Sequence, residues 1–337
     1  MPHQLASHSG FRPARALGVL SAAATALLIT VPSAGQADPT SITDVQKKIG
    51  ELYHDAEVAT EQYNGYQDRM RAAERELKVT QERVGEQQNQ LDKLLTENGI
   101  FATMAYRSGG VDQTLQLFLS DDPQQFLEQA TMLDQLSAQQ ADALRRVEMA
   151  RQDLLTVRAQ ATRQIGEIEQ LQIAMTEKRD AIEASMRKAN ALLATLKLEQ
   201  RAFLRSTGSL VVPDSIKENL PGGRAGKAIT FAMDQIGEPY VWGATGPSSW
   251  DCSGLTLGAY RAAGVTLPRV AAAQAQVGVS VSKSNLQPGD LVFFYSPISH
   301  VGIYIGEGLM IHAPHPGDVV KVTALDTMPF VAARRVG

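Results

Sequence analysis

Trp250-Asp251-Cys252-Ser253-Gly254-Leu255, continued by Thr256-Leu257-Gly258-Ala259-Tyr260-Arg261-Ala262, is the stretch on which the reading of this chain turns. From Ser253 to Ala263 the spacing is helical, with Leu255, Leu257, Ala259 and Ala262 available to pack. Cys252 then stands at a helix N-terminus, where free backbone N–H groups and the helix dipole favour a thiolate and lower its pKa. Upstream, Ala225 to Ile236 reads as a short helix ended by Gly237-Glu238-Pro239. Downstream the chain becomes strand-like. Leu286 to Asp290 is a turn into Leu291-Val292-Phe293-Phe294, His300 to Ile305 alternates with period two, and Leu309 to Ala313 follows Gly306-Glu307-Gly308. The expected C-terminal fold is α+β, a Cys-bearing helix packed on a small antiparallel sheet that carries histidines. A thiol nucleophile needs that arrangement: an imidazole must reach the sulfur, and a third polar group must hold its far nitrogen.

The rest of the chain has a different texture. Residues 38–205 hold no proline except Pro39 and Pro123. Steps of three and four from Ile42 pass through Val45, Ile49, Leu52, Ala56, Ala59, Tyr63, Tyr66, Met70, Ala73, Leu77, Thr80, Val84, Gln87, Leu91 and Leu94, with Glu, Gln, Lys, Arg and Asp filling most intervals. A repeat of about 3.5 residues sustained this long is a coiled-coil seam. A second, looser seam runs from Leu133 through Val147, Leu154, Leu171 and Ile182 to Leu196, interrupted by Gln140, Gln164, Lys178 and Ser185. The simplest packing is a long antiparallel α-helical coiled-coil hairpin, with alanines allowing close approach. Between the seams, Ser108-Gly109-Gly110 and Asp121-Asp122-Pro123 mark turns. Leu115, Leu117, Phe118, Leu119 and Phe126 make an apolar patch at the hairpin tip, read either as a cap on the bundle or as a docking surface for a partner or for the chain's own second domain. Residues 206–224, rich in Gly, Pro and Ser, read as a linker before a domain at 225–337.

Composition narrows the function classes. The chain has 337 residues and a formal charge of −4, without the basic excess that nucleic-acid binding requires. One cysteine cannot make an internal disulfide, a Cys-rich zinc site or a CxxC redox pair. His312, His315 and Asp318 lack the helical HExxH spacing of a metalloprotease, so no metal is expected there. Arg12 and Arg15 precede an uncharged run from Leu17 to Val31, which Pro32 and Ser33 break before Gly35-Gln36-Ala37. That is the layout of a secretory signal peptide over residues 1–37, and at about 1.5 Å per residue the run is too short for a hydrocarbon core of about 30 Å. The expectation is a secreted, wall-associated protein that is not integral to the membrane once the signal is cut.

Four motifs occur in order in the C-terminal module: Gly237 to Ala244 (GEPYVWGA), Asp251-Cys252-Ser253-Gly254, Pro288 to Phe294 (PGDLVFF) and His300 to Tyr304 (HVGIY). Together they resemble the NlpC family, compact papain-like cysteine endopeptidases of bacterial peptidoglycan. The resemblance implies Cys252 as nucleophile, His300 as general base and acid, and His312 as the residue orienting His300, with His315 the alternative for that third role. It also implies Tyr240 as an oxyanion partner of the Cys252 N–H, and cleavage of stem-peptide amides between D-Glu and the diamino acid, without a cofactor. Asp251, Ser253, Trp242, Arg269 and Gln274 are candidate substrate contacts, although Val270-Ala271-Ala272-Ala273 replaces a hydroxyl-bearing residue common in relatives. A coiled coil ahead of such a domain is similar to secreted division hydrolases of actinobacteria, which implies regulation through an FtsE–FtsX-type membrane complex at the tip, the hairpin restraining the active site until that partner binds. Two other readings stand beside this one: an acyltransferase or amidase using the same dyad, and a catalytically silent scaffold of the division machinery.

Overall fold

A computed structural model describes residues 42–107, 123–198 and 209–337. The signal segment and the tip residues Leu115, Leu117, Phe118 and Leu119 lie outside the described residues, as does the side chain of Phe126. From Ile42 to Gly337 the chain forms one compact unit.

Two long helices open it: α1, Ile42–Arg107, and α2, Pro123–Thr195. Straight-chain Glu, Gln, Lys and Arg with many alanines give the helical propensity, and proline is absent from both interiors. The helices run antiparallel, as the pairing of their seams shows. Val45 and Ile49 pack with Leu196, Ala56 and Ala59 with Ile182, and Leu91 with Ala150 and Leu154. Thr80, a hydroxyl on an otherwise apolar seam, is buried and returns its O–H to the Glu76 carbonyl at 3.0 Å, so no donor is left unpaired.

The segment read as linker is partly built into the domain. Asp214–Glu218 forms a short helix, α3, begun by hydrogen bonds from Ile216 and Lys217 N–H to the Pro213 carbonyl. Val212 and Ile216 join the core, and Leu210 N–H pairs with the Val322 carbonyl at 2.9 Å. Apolar side chains with somewhere to pack outweigh the turn-forming residues around them. The domain's helices are α4, Gly223–Asp234, α5, Cys252–Ala262, and the single turn α6, Ala271–Gln274.

Six strands complete the domain: β1 (Val279–Ser280), β2 (Leu291–Phe294), β3 (His300–Gly306), β4 (Leu309–His312), β5 (Lys321–Ala324) and β6 (Phe330–Arg335). They form one antiparallel sheet in the order β1-β6-β2-β3-β4-β5. All four residues of β2 are buried, as expected of a central strand covered on both faces. Helices α4 and α5 cover one face with Ile229, Leu255 and Ala259 against Phe293, Val301 and Ile303. Gly258 is fixed by this packing, because a Cβ there would stand 2.6 Å from the Trp250 ring, itself edge-on to Phe231 at 5.6 Å. Register then does the work for function. His300 opens β3 opposite Phe294, and His312 closes β4 opposite Lys321, so both imidazoles reach the end of the sheet where α5 begins.

Candidate functional site

Asp251 starts α5 as its N-cap and is fully buried. Its Oδ1 accepts from Gly254 N–H at 2.6 Å and its Oδ2 from Gly243 N–H at 3.0 Å, which ties the Gly237–Ala244 loop to the helix. Arg269 closes on the same carboxylate with both terminal nitrogens, and its Nη1 also reaches Ser253 Oγ at 2.9 Å. Gly254 is required next to this cap, since a Cβ would lie 2.1 Å from the Ala244 carbonyl oxygen. Cys252 is thereby held in the first turn of α5, fully buried.

The histidines meet it from the sheet. His300 offers Nε2 to His312 Nδ1 at 2.7 Å, and His312 Nε2 meets Thr323 Oγ1 at 3.1 Å. His315 does not share this chain: it stacks on Tyr53 with ring centroids 3.9 Å apart and turns Nδ1 to the Pro316 carbonyl. The choice between His312 and His315 beside His300 is therefore settled in position by the β4 register. The Tyr240 hydroxyl is buried near Cys252 with no hydrogen-bond partner among the described residues.

Of the candidate substrate contacts, Asp251, Ser253 and Arg269 form one buried network beside the thiol, and Trp242 sits at its rim. Gln274 is different. It is fully buried, its Oε1 accepts from Thr256 Oγ1 at 2.7 Å, and its Nε2 donates to the Ser253 and Pro268 carbonyls. With both ends of its amide engaged, it braces α5 against the Pro268–Val270 loop and is not a substrate contact.

The restraint expected of the hairpin takes a form whose residues the sequence reading did not name. Helix α1 lies across the cleft and inserts three polar side chains at helical spacing, Glu57, Glu61 and Asn64, all buried. Glu57 hydrogen-bonds His300 Nδ1. Glu61 accepts from Ser253 Oγ at 2.6 Å and from the Ala271 backbone N–H, and lies 3.9 Å from Cys252 Sγ. Asn64 donates to Asp251 Oδ2 at 3.1 Å. Aromatic contacts extend the seal, Tyr63 edge-on to Trp242 at 5.1 Å and His54 against Tyr295 at 4.1 Å. A polar stripe beside a coiled-coil seam normally faces solvent, so spacing alone gave no sign of these partners. Gly65, next to Asn64, faces Val270, but a Cβ there would make only an ordinary contact at 3.8 Å, so the glycine is no signal either.

This burial reverses the expected electrostatics of the nucleophile. Loss of water, followed by the carboxyls of Glu57, Glu61 and Asp251, pushes the Cys252 thiol well above its ordinary pKa, against the pull of Arg269. The helix N-terminus does not overcome three acidic neighbours in a dry site. Glu61 is itself pushed up to about 8, first by burial and then by the Asp251 charge. His312 is driven well below its ordinary range by burial and by His300, so it stays a neutral imidazole. The covered site thus holds a protonated thiol and an imidazole whose reactive nitrogen is occupied.

Comparison with known proteins bears on the C-terminal part. Residues 237–334 match the model of the NlpC/P60 family. A probable endopeptidase of Corynebacterium glutamicum is 47% identical over 124 residues, 36% of this chain and 59% of that protein. The gamma-D-glutamyl-L-lysine dipeptidyl-peptidase of Bacillus cereus is 34% identical over 137 residues, 39% of this chain and 40% of that protein. The chain thus spans less than two thirds of the length of either relative. Among solved structures, the NlpC/p60 domain of the peptidoglycan hydrolase SagA is 36% identical, with 33% of this chain and 98% of that one covered and a TM-score of 0.32. The motif residues Tyr240, Cys252, His300 and His312 all fall within the matched segment, so residues 237–334 carry an NlpC/P60 domain.

Proposed function

We propose that this chain is a secreted peptidoglycan endopeptidase that cleaves stem-peptide amides between D-Glu and the diamino acid, and that α1 keeps it inactive until the hairpin is moved. The observation that carries the reading is the Cys252–His300–His312 array, with the unpartnered Tyr240 hydroxyl beside it, lying under Glu57 and Glu61. The relative named for gamma-D-glutamyl-L-lysine cleavage supports the bond class.

With α1 withdrawn, water and substrate reach the cleft, and the thiol loses the burial and the two glutamates that raise its pKa. His300 Nδ1 takes the Cys252 proton and the thiolate attacks the amide carbonyl. The first N–H groups of α5 and the Tyr240 hydroxyl stabilise the oxyanion, an effect worth about 3–4 kcal/mol per donor in well-built holes. The leaving amine takes the proton back from His300, and water, activated by the same imidazole, hydrolyses the thioester. His312 orients His300 throughout, itself held by Thr323. In this reading residues 1–37 direct export to the cell wall, and an FtsE–FtsX-type membrane complex acts on the tip around 115–126.

The test incubates residues 38–337 with defined muropeptides and reads products by mass spectrometry. The comparison set is the wild type, a variant with α1 displaced, and that variant with Cys252→Ala. Expected is slow cleavage after D-Glu by the wild type, faster cleavage by the displaced form and none without the thiol. Products that conserve the acyl group on a new amine would replace the hydrolase reading with acyl transfer. Equal turnover by wild type and displaced form would end the inhibitory role of α1.

A further inference from the structure

The seated α1 does more than cover the cleft: it completes a set of metal donors. Glu57, Cys252 and His300 are all buried, and a carboxylate oxygen, the thiol sulfur and a ring nitrogen lie within 4.8 Å of one another. Thiolate, imidazole and carboxylate are the three donor types that zinc takes, and three protein ligands with one open position are a common zinc arrangement. The imidazole is already oriented for the purpose. Its Nε2 is held by His312, which is held by Thr323, leaving Nδ1 toward Glu57 and the sulfur. Such outer hydrogen bonds fix the tautomer and direction of a ligating histidine.

Oxygen donors surround the thiol on the same side. Glu61 Oε1 lies 3.9 Å from Cys252 Sγ, while the nearby guanidinium of Arg269 is committed to Asp251 and does not compete for Glu57.

We propose that Glu57, Cys252 and His300 form a zinc site that exists only while α1 is seated, so that a thiophilic divalent cation locks the closed form. Binding releases the thiol proton to solvent and forms a sulfur–metal bond with no change of oxidation state. The inference rests on the seated position of α1 and not on the identity of the bond the enzyme cuts.

The experiment uses residues 38–337 after treatment with a chelator and follows metal binding, not turnover. Cobalt(II) reports ligation through its thiolate-to-metal charge-transfer band, and zinc affinity is measured by competition with a chromogenic chelator. Expected is a thiolate band that Cys252→Ala abolishes. Zinc affinity should fall at least about tenfold in Glu57→Ala. It should fall similarly in Gly65→Phe, which keeps all three donors but pushes α1 off Val270, and circular dichroism would verify that both variants remain helical. Absence of the band would overturn the site, and unchanged affinity in Glu57→Ala would remove α1 from it. Full affinity in Gly65→Phe, with Cys252 in that variant alkylated faster than in wild type, would show that closure is not required and refute the lock. Each of these failures leaves the muropeptide assay free to succeed.

Discussion

Gly65→Phe tests the covering helix without changing any side chain that meets the thiol or the histidines. Gly65 lies on α1 one residue past Asn64, and a Cβ placed there meets Val270 Cγ1 at 3.8 Å, an ordinary contact. A methyl group is therefore tolerated, whereas a phenyl ring must displace either the Val270 loop or the helix. Overpacking of this kind costs about 1–3 kcal/mol, and only the closed state bears it. The helix itself gains, since replacing an interior glycine returns up to about 1 kcal/mol of helix stability. The ratio of closed to open forms should then fall by about 5- to 150-fold, because 1.4 kcal/mol is a factor of ten. Cys252 is fully buried when closed, so its alkylation by iodoacetamide reports the open fraction directly. We expect alkylation of Gly65→Phe to accelerate within that range, Gly65→Ala to remain near wild type, and both to retain or increase helical circular dichroism. If Gly65→Phe is fully helical and its thiol reacts no faster than wild type, the contact between α1 and Val270 does not control access and the covering argument fails.

Two further outcomes follow from the site. Tyr240→Phe, made in the Gly65→Phe background, removes only the unpartnered hydroxyl beside Cys252. It should lower kcat about 10²- to 10³-fold with little change in KM, measured on a muropeptide by mass spectrometry, if that hydroxyl stabilises the oxyanion. Glu61 gives the closed state a pH dependence whose sign is fixed by its environment. Its closed-state pKa of about 8 lies above the ordinary carboxyl value of 4.5, so its contribution to closure is complete below 4.5 and is lost as pH rises through 8. Within that window each pH unit weakens closure by up to about tenfold. In chelator, the ratio of Cys252 alkylation in wild type to that in Glu61→Gln should therefore rise with pH between 5 and 8, and a flat ratio would show that Glu61 does not titrate on opening.

How far the sequence carried the reading depends on how local the determinant was. The thiol helix was legible because Asp251 caps it, Gly254 leaves room for Ala244, and the helical spacing follows at once. His300 and His312 were legible because period-two strands bring them to one sheet end, and the choice against His315 needed only the register of β4 with β5. The seams of α1 and α2 were legible because a 3.5-residue repeat is visible without partners. Strands β5 and β6 and the built-in segment around Val212 and Ile216 were missed, since their partners lie far along the chain. Gln274 was misread for a similar reason. A glutamine after a variable loop looks available until Thr256, Ser253 and Pro268 are seen to use both ends of its amide. Glu57, Glu61 and Asn64 were not legible as site residues at all, because nothing distinguishes a buried polar stripe from a solvated one before the surface it meets is known.

Under the proposed role of α1, that stripe explains why the cover is built of carboxyls and not of an apolar plug. An apolar side chain over the cleft would exclude substrate but leave the Ala271 N–H and His300 Nδ1 buried without these partners, at about 1–3 kcal/mol each. Glu61 and Glu57 satisfy these two groups. The same carboxyls push the Cys252 thiol toward its protonated form and occupy His300 Nδ1, so the proposed inhibition is electrical as well as steric. The arrangement is also easy to reverse. Burying Glu61 is unfavourable to its charged form, so the closed state stores a preference for water that withdrawal of α1 releases. Because α1 is one continuous helix from Ile42 to Arg107, the residues over the thiol and the far end of α1 belong to the same element. The proposed trigger at that far end requires such continuity, since only a displacement carried along α1 would lift Glu57 and Glu61 from the cleft.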